Sequence, residues 1–213
     1  MNLADLKRRV YAVLRDSPKS FVKDPDVEDL LNEAACDLAA RLGVLQSTKT
    51  GTTSGSSIAF PASPEVARIV SLRLGSDDDV EFVDDEVFWS WSDGGDTPAH
   101  TLGRVWNEAI ELYPTPTTGT AYSLRYAHLP TAVMEGPEDV PELPTQLHPK
   151  LVHYARAHAL YRCNEESKGD RYLALYEDGL PPVSVGVEAS RPGPLSISLE
   201  PGPFDTDPYA QHI

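Results

Sequence analysis

The sequence predicts an α+β protein with a four-helix body built from both chain ends, an inserted small antiparallel β-sheet, and an extended C-terminal arm. Three observations lead to this fold class. Apolar residues recur at helical spacing near both ends of the first 180 residues, alternate in the middle, and are interspersed with prolines beyond that point. The predicted regions are an N-terminal helix pair over 1–43, a β-rich region over 44–141, helices that complete the body over 142–180, and the arm over 181–213.

Two N-terminal helices are predicted together with their boundaries. The first covers residues 2–15, with Asn2 as its N-cap, and it ends before Pro18. The second has Asp24 as its cap and Pro25 in the first helical position, and it ends at Gly43, which suits a left-handed C-terminal cap. Each helix carries an apolar stripe, so we expect the two to pack as an antiparallel pair.

The middle of the chain is predicted to form short strands. Residues 58–61, 66–74 and 102–106 are strand candidates, whereas the polar stretch 48–57 is predicted to be a loop or an edge hairpin. The clearest pattern covers residues 110–129, where apolar and polar residues alternate on both sides of a Pro/Thr/Gly turn. That pattern is typical of a half-buried hairpin.

The remainder of the body is predicted to be helical after an irregular connection. Residues 130–144 are punctuated by proline and are expected to cross the molecule without regular secondary structure. A third helix over 149–164 has Ala155, Ala159 and Cys163 at four-residue spacing, a seam of small side chains that lets another helix approach closely. A fourth helix covers 170–178 and stops at the Gly and Pro residues that follow.

The C-terminal arm combines prolines with apolar residues. The prolines prevent a regular helix or a central strand, but the apolar content is too high for an inert tail. Residues 195–199 alternate like an edge strand that adds to the sheet of another chain. We therefore expect a partner to hold the arm through Leu195, Ile197, Leu199, Phe204 and Tyr209.

The charge of the chain is strongly acidic and uneven. The formal net charge is −15, which argues against direct nucleic-acid binding, because DNA affinity comes mostly from Lys and Arg at phosphates. Basic residues concentrate in 1–23, whereas 77–86 is an acidic run. No apolar run is long enough for a membrane span and no secretory signal is recognisable, so a soluble intracellular protein is expected.

Three aromatic residues at 88–91 form the first candidate site. Residues 84–91 are predicted to be a short helix, followed by a loop at 93–96. Two of Phe88, Trp89 and Trp91 can fill a small core under the sheet. Alternatively, Trp89 and Trp91 are anchors of an interface with the tail or a neighbouring subunit, a role in which Trp is common. Asp77, Asp78 and Asp79 are assigned to the same possible interface.

Residues that could carry chemistry are predicted not to form a site. His148, His153 and His158 are five residues apart, so their rings cannot converge on one metal, and we expect them at solvent or at an interface. Cys36 and Cys163 lack metal or redox spacing and are expected to be buried structural thiols. The acidic run lacks the ligand spacing of a calcium loop, so a solvated loop, or one paired with a basic N-terminal helix on the next subunit, is expected. No catalytic residue, metal or cofactor is predicted.

Five segments occur in an informative order. They are DLLNEA at 29–34, IAFPA at 58–62 leading to VARIV at 66–70, IELYPTP at 110–116, LRY at 124–126, and ELP at 142–144 before Leu147. In this order and spacing, residues 3–178 resemble the head-to-tail adaptor (connector) proteins of tailed bacteriophages, especially larger members with a sheet inserted between helix pairs. The arm lies beyond the resemblance.

The resemblance implies a structural role, not an enzymatic one. Such adaptors form a twelve-fold ring that docks on the portal protein, seats a tail protein (nozzle, stopper or tube) and lines the channel through which genomic DNA passes without specific binding. It also implies a component of the virion neck, made in the host cytoplasm, with no membrane partner. Two alternatives stay open from the residues alone: an acidic regulatory module for a basic partner, of the DNA-mimic type, and a metal-dependent enzyme that uses the acidic run.

Overall fold

The computed structural model describes residues 1–14, 22–75, 78–95 and 97–181, and these residues form an α+β fold. The predicted arm residues Leu195, Ile197, Leu199, Phe204 and Tyr209, as well as Asp77, lie outside the described residues. The described helices are α1 (Leu3–Leu14), α2 (Asp24–Leu42), α3 (Asp85–Gly94), α4 (His148–Arg162) and α5 (Glu166–Glu177). The strands are β1 (Gln46–Thr52), β2 (Ser57–Ala59), β3 (Val66–Leu74), β4 (Asp78–Asp79), β5 (Glu81–Phe82), β6 (Leu102–Trp106), β7 (Ala109–Tyr113) and β8 (Ala121–His128).

The predicted helix caps are mostly confirmed. Asn2 caps α1, because its Oδ1 accepts a hydrogen bond from the Asp5 amide at 3.0 Å. Gly43 ends α2 with φ of 59° and donates its N–H to Ala39 O at 2.9 Å. The predicted N-cap Asp24 is wrong: Lys23 occupies that position, and its N–H donates to Asp26 Oδ2 at 2.9 Å. Two further boundaries differ, since α5 begins at Glu166 and α3 continues into the predicted 93–96 loop.

A first hydrophobic cluster is built from helices. Both α1 and α2 pack against α4, which in turn packs against α5. Of the predicted seam, Ala155 and Ala159 are fully buried, whereas its third residue, Cys163, is half-buried. The largest fully buried side chains of the cluster are Leu3, Leu6, Leu31, Leu38, Leu151, Leu160 and Tyr176.

The segment 130–144 is irregular, as predicted, and it ties the two ends of the chain together. Met134 and Leu143 from this segment are buried in the helical cluster. The side-chain amide of Asn32 in α2 both donates to Met134 O at 3.1 Å and accepts from Met134 N at 3.0 Å. The first amides of α1, at Leu3 and Ala4, donate to carbonyl oxygens of this segment at 2.7 and 3.0 Å. The segment thus supplies acceptors for N–H groups that have no partner within the helix.

The strands form two sheets, so the single antiparallel sheet of the prediction is wrong. The first sheet has the order β1-β8-β3-β4 and is antiparallel, and the second has the order β2-β7-β6-β5 with β5 and β6 parallel. Both sheets contribute to a second hydrophobic cluster made of Ile58, Ile69, Leu72, Leu74, Val80, Ile110, Leu112, Leu124 and Tyr126.

The predicted hairpin at 110–129 is also wrong, because its two strands belong to different sheets. The intervening residues 114–120 carry the chain from β7 in the second sheet to β8 in the first. The actual hairpin is β6–β7, in which Trp106 pairs with Ala109. Its turn residues Asn107 and Glu108 have φ of 48° and 60°, the positive values that a two-residue hairpin turn with matching twist requires.

Two strands of the first sheet differ in part from the sequence prediction. The strand predicted at 66–74 is confirmed as β3, but the register shifts between Ile69 and Ser71. This bulge turns Ile69 to the buried side together with Leu72 and Leu74, although strict alternation would place it opposite them. The polar stretch predicted as a loop or an edge hairpin contributes most of β1, which pairs with β8 at the sheet edge.

Candidate interface at helix α3 and at the start of the arm

Helix α3 is a short helix that its own chain covers poorly. The Asp84 carboxylate caps it by accepting a hydrogen bond from Val87 N at 2.9 Å, and Gly95 ends it with φ of 71°. Among its ten residues only Phe88 is buried. Phe88 lies against the Tyr113 ring, with a centroid distance of 6.5 Å, and so attaches the helix to the second sheet.

The other two aromatic residues of the predicted site are exposed. Trp89 and Trp91 retain 48% and 37% of their surface in contact with solvent, so only Phe88 of the three serves as a core residue. Their assignment to an interface remains a prediction. The helical repeat of about 100° per residue gives the directions of these side chains around the axis of α3. Trp89 lies about 100° from Phe88 in one direction, and Trp91 lies about 60° from Phe88 in the other.

Arg104 organises this surface, a role that was not predicted from the sequence. Its side chain is only 5% exposed although it lies on β6 beside solvent-exposed rings. The guanidinium carbon lies 4.3 Å from the Trp89 ring centroid, 5.2 Å from that of Trp106 and 4.9 Å from that of Phe88. Such cation–π contacts hold the indoles in place.

Two carboxylates balance the charge of Arg104. Its Nε and one terminal nitrogen donate to Glu111 Oε2 at 2.8 and 2.6 Å, and the other terminal nitrogen donates to Asp85 Oδ1 at 3.2 Å. Glu111 is on the neighbouring strand β7 and Asp85 begins α3, so one side chain joins the helix to the sheet. The two indoles that contact Arg104 nevertheless stay 48% exposed at Trp89 and 54% exposed at Trp106.

A second exposed tryptophan surface comes from the β6–β7 hairpin. Trp106 is 54% exposed, and Val87 on α3 is 40% exposed. We call Trp89 and Trp106, whose rings both contact Arg104, the aromatic patch. Val87 and Trp91 lie on the other side of α3, from the helical repeat. Sequence reasoning missed Trp106 because it assigned the hairpin to other strands; the signal was the Asn107 that follows it, since Asn tolerates positive φ.

The acidic residues next to the patch are partly paired within the chain. Asp79 Oδ1 accepts from Arg73 Nε at 2.7 Å, and Asp78 Oδ2 accepts from the Thr101 hydroxyl at 2.9 Å. Exposed pairs of this kind contribute little to stability. Both residues are exposed, as a solvated acidic run predicts, but they form strand β4 and not a loop. Pairing with the next subunit remains a prediction.

A second candidate region is the point where the predicted arm leaves the helices. Arg41, near the end of α2, donates through Nε and a terminal nitrogen to Pro181 O at 3.1 and 2.7 Å. The same guanidinium forms a two-pronged pair with Glu177, at 3.0 and 2.5 Å. Hydrogen bonding to Arg41 lowers the pKa of Glu177, and the same interaction raises the pKa of Arg41.

The end of α5 is fixed from its other side as well. Lys150 Nζ donates to the carbonyl oxygens of Leu175 and Tyr176, both at 2.9 Å, and thus caps the last turn. The buried Tyr176 hydroxyl donates to Asp37 on α2. Burial and this hydrogen bond raise the pKa of Tyr176. These contacts determine where Pro181 lies and hence where the following residues begin.

The three histidines of α4 do not converge, as predicted, but their expected exposure is wrong for His148. That side chain is 1% exposed, and it lies between Leu143 O, 3.0 Å from Nε2, and the Met1 amino group, 3.1 Å from Nδ1. Burial lowers its pKa. His153 stacks on Tyr172. Within the residues that the structure describes, no three His, Cys, Asp or Glu side chains come together as a possible metal site.

The prediction of buried cysteines is wrong for Cys36. It is exposed on α2, and Cys163 is half-buried at the end of α4. Among the described helices, none is long and apolar enough to cross a bilayer.

Comparison with known proteins defines the class. Residues 1–197 match the family model described as SU10 adaptor protein, whereas no curated protein matches the chain. The match covers most of the chain. The chain therefore belongs to the SU10 adaptor protein family, a family of phage head-to-tail adaptors, and the resemblance found in the sequence is confirmed. Membership makes it a structural component of the phage virion that associates with portal and tail proteins.

Proposed function

We propose that this chain is the subunit of a twelve-fold adaptor ring that docks on the portal, seats the tail through a nozzle, stopper or tube protein, and lines the DNA exit channel. The observation that carries the proposal is the family match over residues 1–197. Around such a ring each subunit needs only a modest contact, because linked copies bind with a high effective concentration.

The helices at both chain ends would supply the rigid body of the subunit. In this proposal α1, α2, α4 and α5 form a four-helix body, with the two sheets inserted between α2 and α4. The support is their shared hydrophobic cluster and the capping of α1 by the segment 130–144. A body closed by both chain ends can carry load between portal and tail without depending on the sheets.

The arm would hold the portal or a neighbouring subunit. Arg41, Glu177 and Lys150 support this part, because they fix the position of Pro181 and so reduce the entropy lost when the next residues bind. Apolar side chains at Leu195, Ile197, Leu199, Phe204 and Tyr209 would supply anchors, with main-chain hydrogen bonds formed by strand addition.

The charge of the chain suits a channel better than a clamp. A ring of subunits, each with a formal net charge of −15, repels DNA in its summed field and allows the genome to pass without specific binding.

The test removes the arm and leaves the body. Truncation after Pro181 keeps the carbonyl that Arg41 binds, so we expect a folded protein with an unchanged circular dichroism spectrum. Binding to purified portal, measured by light scattering of the mixture, should be lost. Two full-length double variants test whether binding needs the apolar side chains and not just the presence of the arm. Leu195→Ser with Ile197→Ser should weaken binding to portal, whereas Ser196→Ala with Ser198→Ala should not. Undiminished binding by the truncated chain would refute the role of the arm, and a full-length chain indifferent to portal would refute the proposed function.

A further inference from the structure

The aromatic patch has an apolar centre and an acidic rim. Helix α3 and its cap carry Asp84, Asp85, Glu86 and Asp93 and no basic residue. Asp84 caps the helix and Asp85 pairs with Arg104, whereas Glu86 and Asp93 are exposed at the rim. Exposed indoles bordered by carboxylates fit a surface that offers cations and small side chains.

Helix α1 presents a surface of that kind. Its exposed residues are Ala4, Arg8, Arg9 and Ala12, which we call the α1 ridge. Ala4, Arg8 and Ala12 are four residues apart and form one line along the helix. The Arg8 side chain is 77% exposed, and its contact with Asp5 is a pair within the same helix. The small alanines on either side leave the guanidinium open to an approaching ring.

A concavity of about 340 Å³ lies beside the ridge. Its lining residues are Ala4, Lys7, Arg8, Tyr11, Asp24 and Pro137. Sites for small molecules range from about 300 to 1,000 Å³, so this one is at the lower end and suits a single large side chain. Arg8 and Tyr11 in its wall offer the cation and the aromatic surface that an indole prefers.

We propose that the aromatic patch of one copy docks on the α1 ridge of a second copy, with a tryptophan of α3 in the concavity and Arg8 between the indole and the acidic rim. Helix α1 belongs to the helical cluster, whereas α3 lies on the second sheet, so the contact joins two different surfaces. Contacts of this head-to-tail type form closed rings when the rotation between copies closes. The inference deepens the proposed function, on which it rests, by naming the surfaces that would link neighbours in the ring.

Complementation between two variants tests the contact. Trp89→Ala with Trp106→Ala removes the patch but keeps the ridge, and Arg8→Glu with Arg9→Glu removes the ridge but keeps the patch. Each should remain at the monomer mass of 23.3 kDa at concentrations where the unmodified chain associates. Their mixture should contain one intact contact per pair and form a one-to-one dimer that does not grow, as read by sedimentation velocity.

Matched controls test the charge change and the loss of an indole separately. Lys168→Glu with Arg171→Glu makes the same charge change at exposed positions on α5, and Trp91→Ala removes an exposed indole from the other side of α3. Both controls should associate like the unmodified chain, and all variants should retain its circular dichroism spectrum.

The outcomes separate this contact from the proposed function. An unmodified chain that stays monomeric up to about 1 mM, variants that still associate, or a mixture that gives no dimer would each overturn the contact. Loss of portal binding by the patch variant but not by the ridge variant would assign the patch to portal and also overturn the contact. If no version binds portal while the mixture still dimerises, the proposed function fails and the contact stands.

Discussion

Replacing Arg104 tests whether one buried cation joins α3 to the second sheet. Arg104→Ala removes two hydrogen bonds to Glu111, one to Asp85, and the contacts with three aromatic rings. Arg104→Lys keeps the charge but loses the planar fork that reaches both carboxylates. We therefore expect the alanine variant to be the less stable of the two.

The magnitude follows from the exposure of the partners. Glu111 is 33% exposed, so its pair contributes about 1.5 kcal/mol, the low end for a charged hydrogen bond. Asp85 is 56% exposed, and its pair contributes roughly 0.5 kcal/mol, as surface pairs do. Contacts with the two exposed indoles add about 0.5–1 kcal/mol each. The free energy of unfolding should thus fall by about 3 kcal/mol for Arg104→Ala and by roughly half of that for Arg104→Lys.

Urea unfolding followed by circular dichroism measures both losses. For a chain of this size, about 3 kcal/mol corresponds to a decrease of roughly 6–12 °C in Tm. Arg125→Ala is the matched control, because Arg125 is exposed on β8 and its hydrogen bond to Gln46 is long, at 3.3 Å. It should change stability by less than about 0.5 kcal/mol. An Arg104→Ala variant that lost less than about 1 kcal/mol would refute the assignment of Arg104 as the link between helix and sheet.

Three further changes probe other parts of the fold. Tyr176→Phe removes the hydroxyl that donates to Asp37, and urea unfolding should show a loss of about 1–1.5 kcal/mol. Gly103→Ala would place a Cβ 2.7 Å from Val80 Cγ1, so overpacking should cost about 1–3 kcal/mol and lower Tm. Burial alone would raise the pKa of Glu142, but hydrogen bonds from Thr131 and Ala132 outweigh burial and lower this pKa. Its stabilisation is therefore present above the ordinary pKa of 4.5 and lost as pH falls through the folded-state pKa, and Glu142→Gln should flatten the acid side of a plot of stability against pH.

Local signals in the sequence predicted the features that depend on residues close together in the chain, such as the ends of helices. Asn2 and Gly43 mark helix ends because each acts on backbone groups within one turn. Cys36 could also have been predicted correctly, since helical spacing places it on the face of Glu33, Asp37 and Ala40, opposite the apolar stripe of α2. Its burial was inferred from residue type where periodicity was the better guide.

Features that depend on distant residues could not be predicted in the same way. Alternation at 110–129 shows that both segments are strands, but it does not show which strands they pair with. Strands β7 and β8 would have the same alternation whether they paired with each other or, as they do, belonged to separate sheets. The aromatic patch depended on that pairing, because the β6–β7 hairpin brings Trp106 and Arg104 to α3. His148 is buried only because Met1 and Leu143 meet at its ring.

The placement of the two candidate regions makes their functions separable. Arg41 and Pro181 lie at the ends of α2 and α5, in the helical cluster, whereas Trp89 and Trp106 lie over the second sheet. Substitutions that share no partner affect stability and binding additively. The proposed contacts with portal and with a second copy can therefore be strengthened independently of each other. Arg104 serves only the second of them, so its replacement should disturb the patch and leave the exit of the arm unchanged.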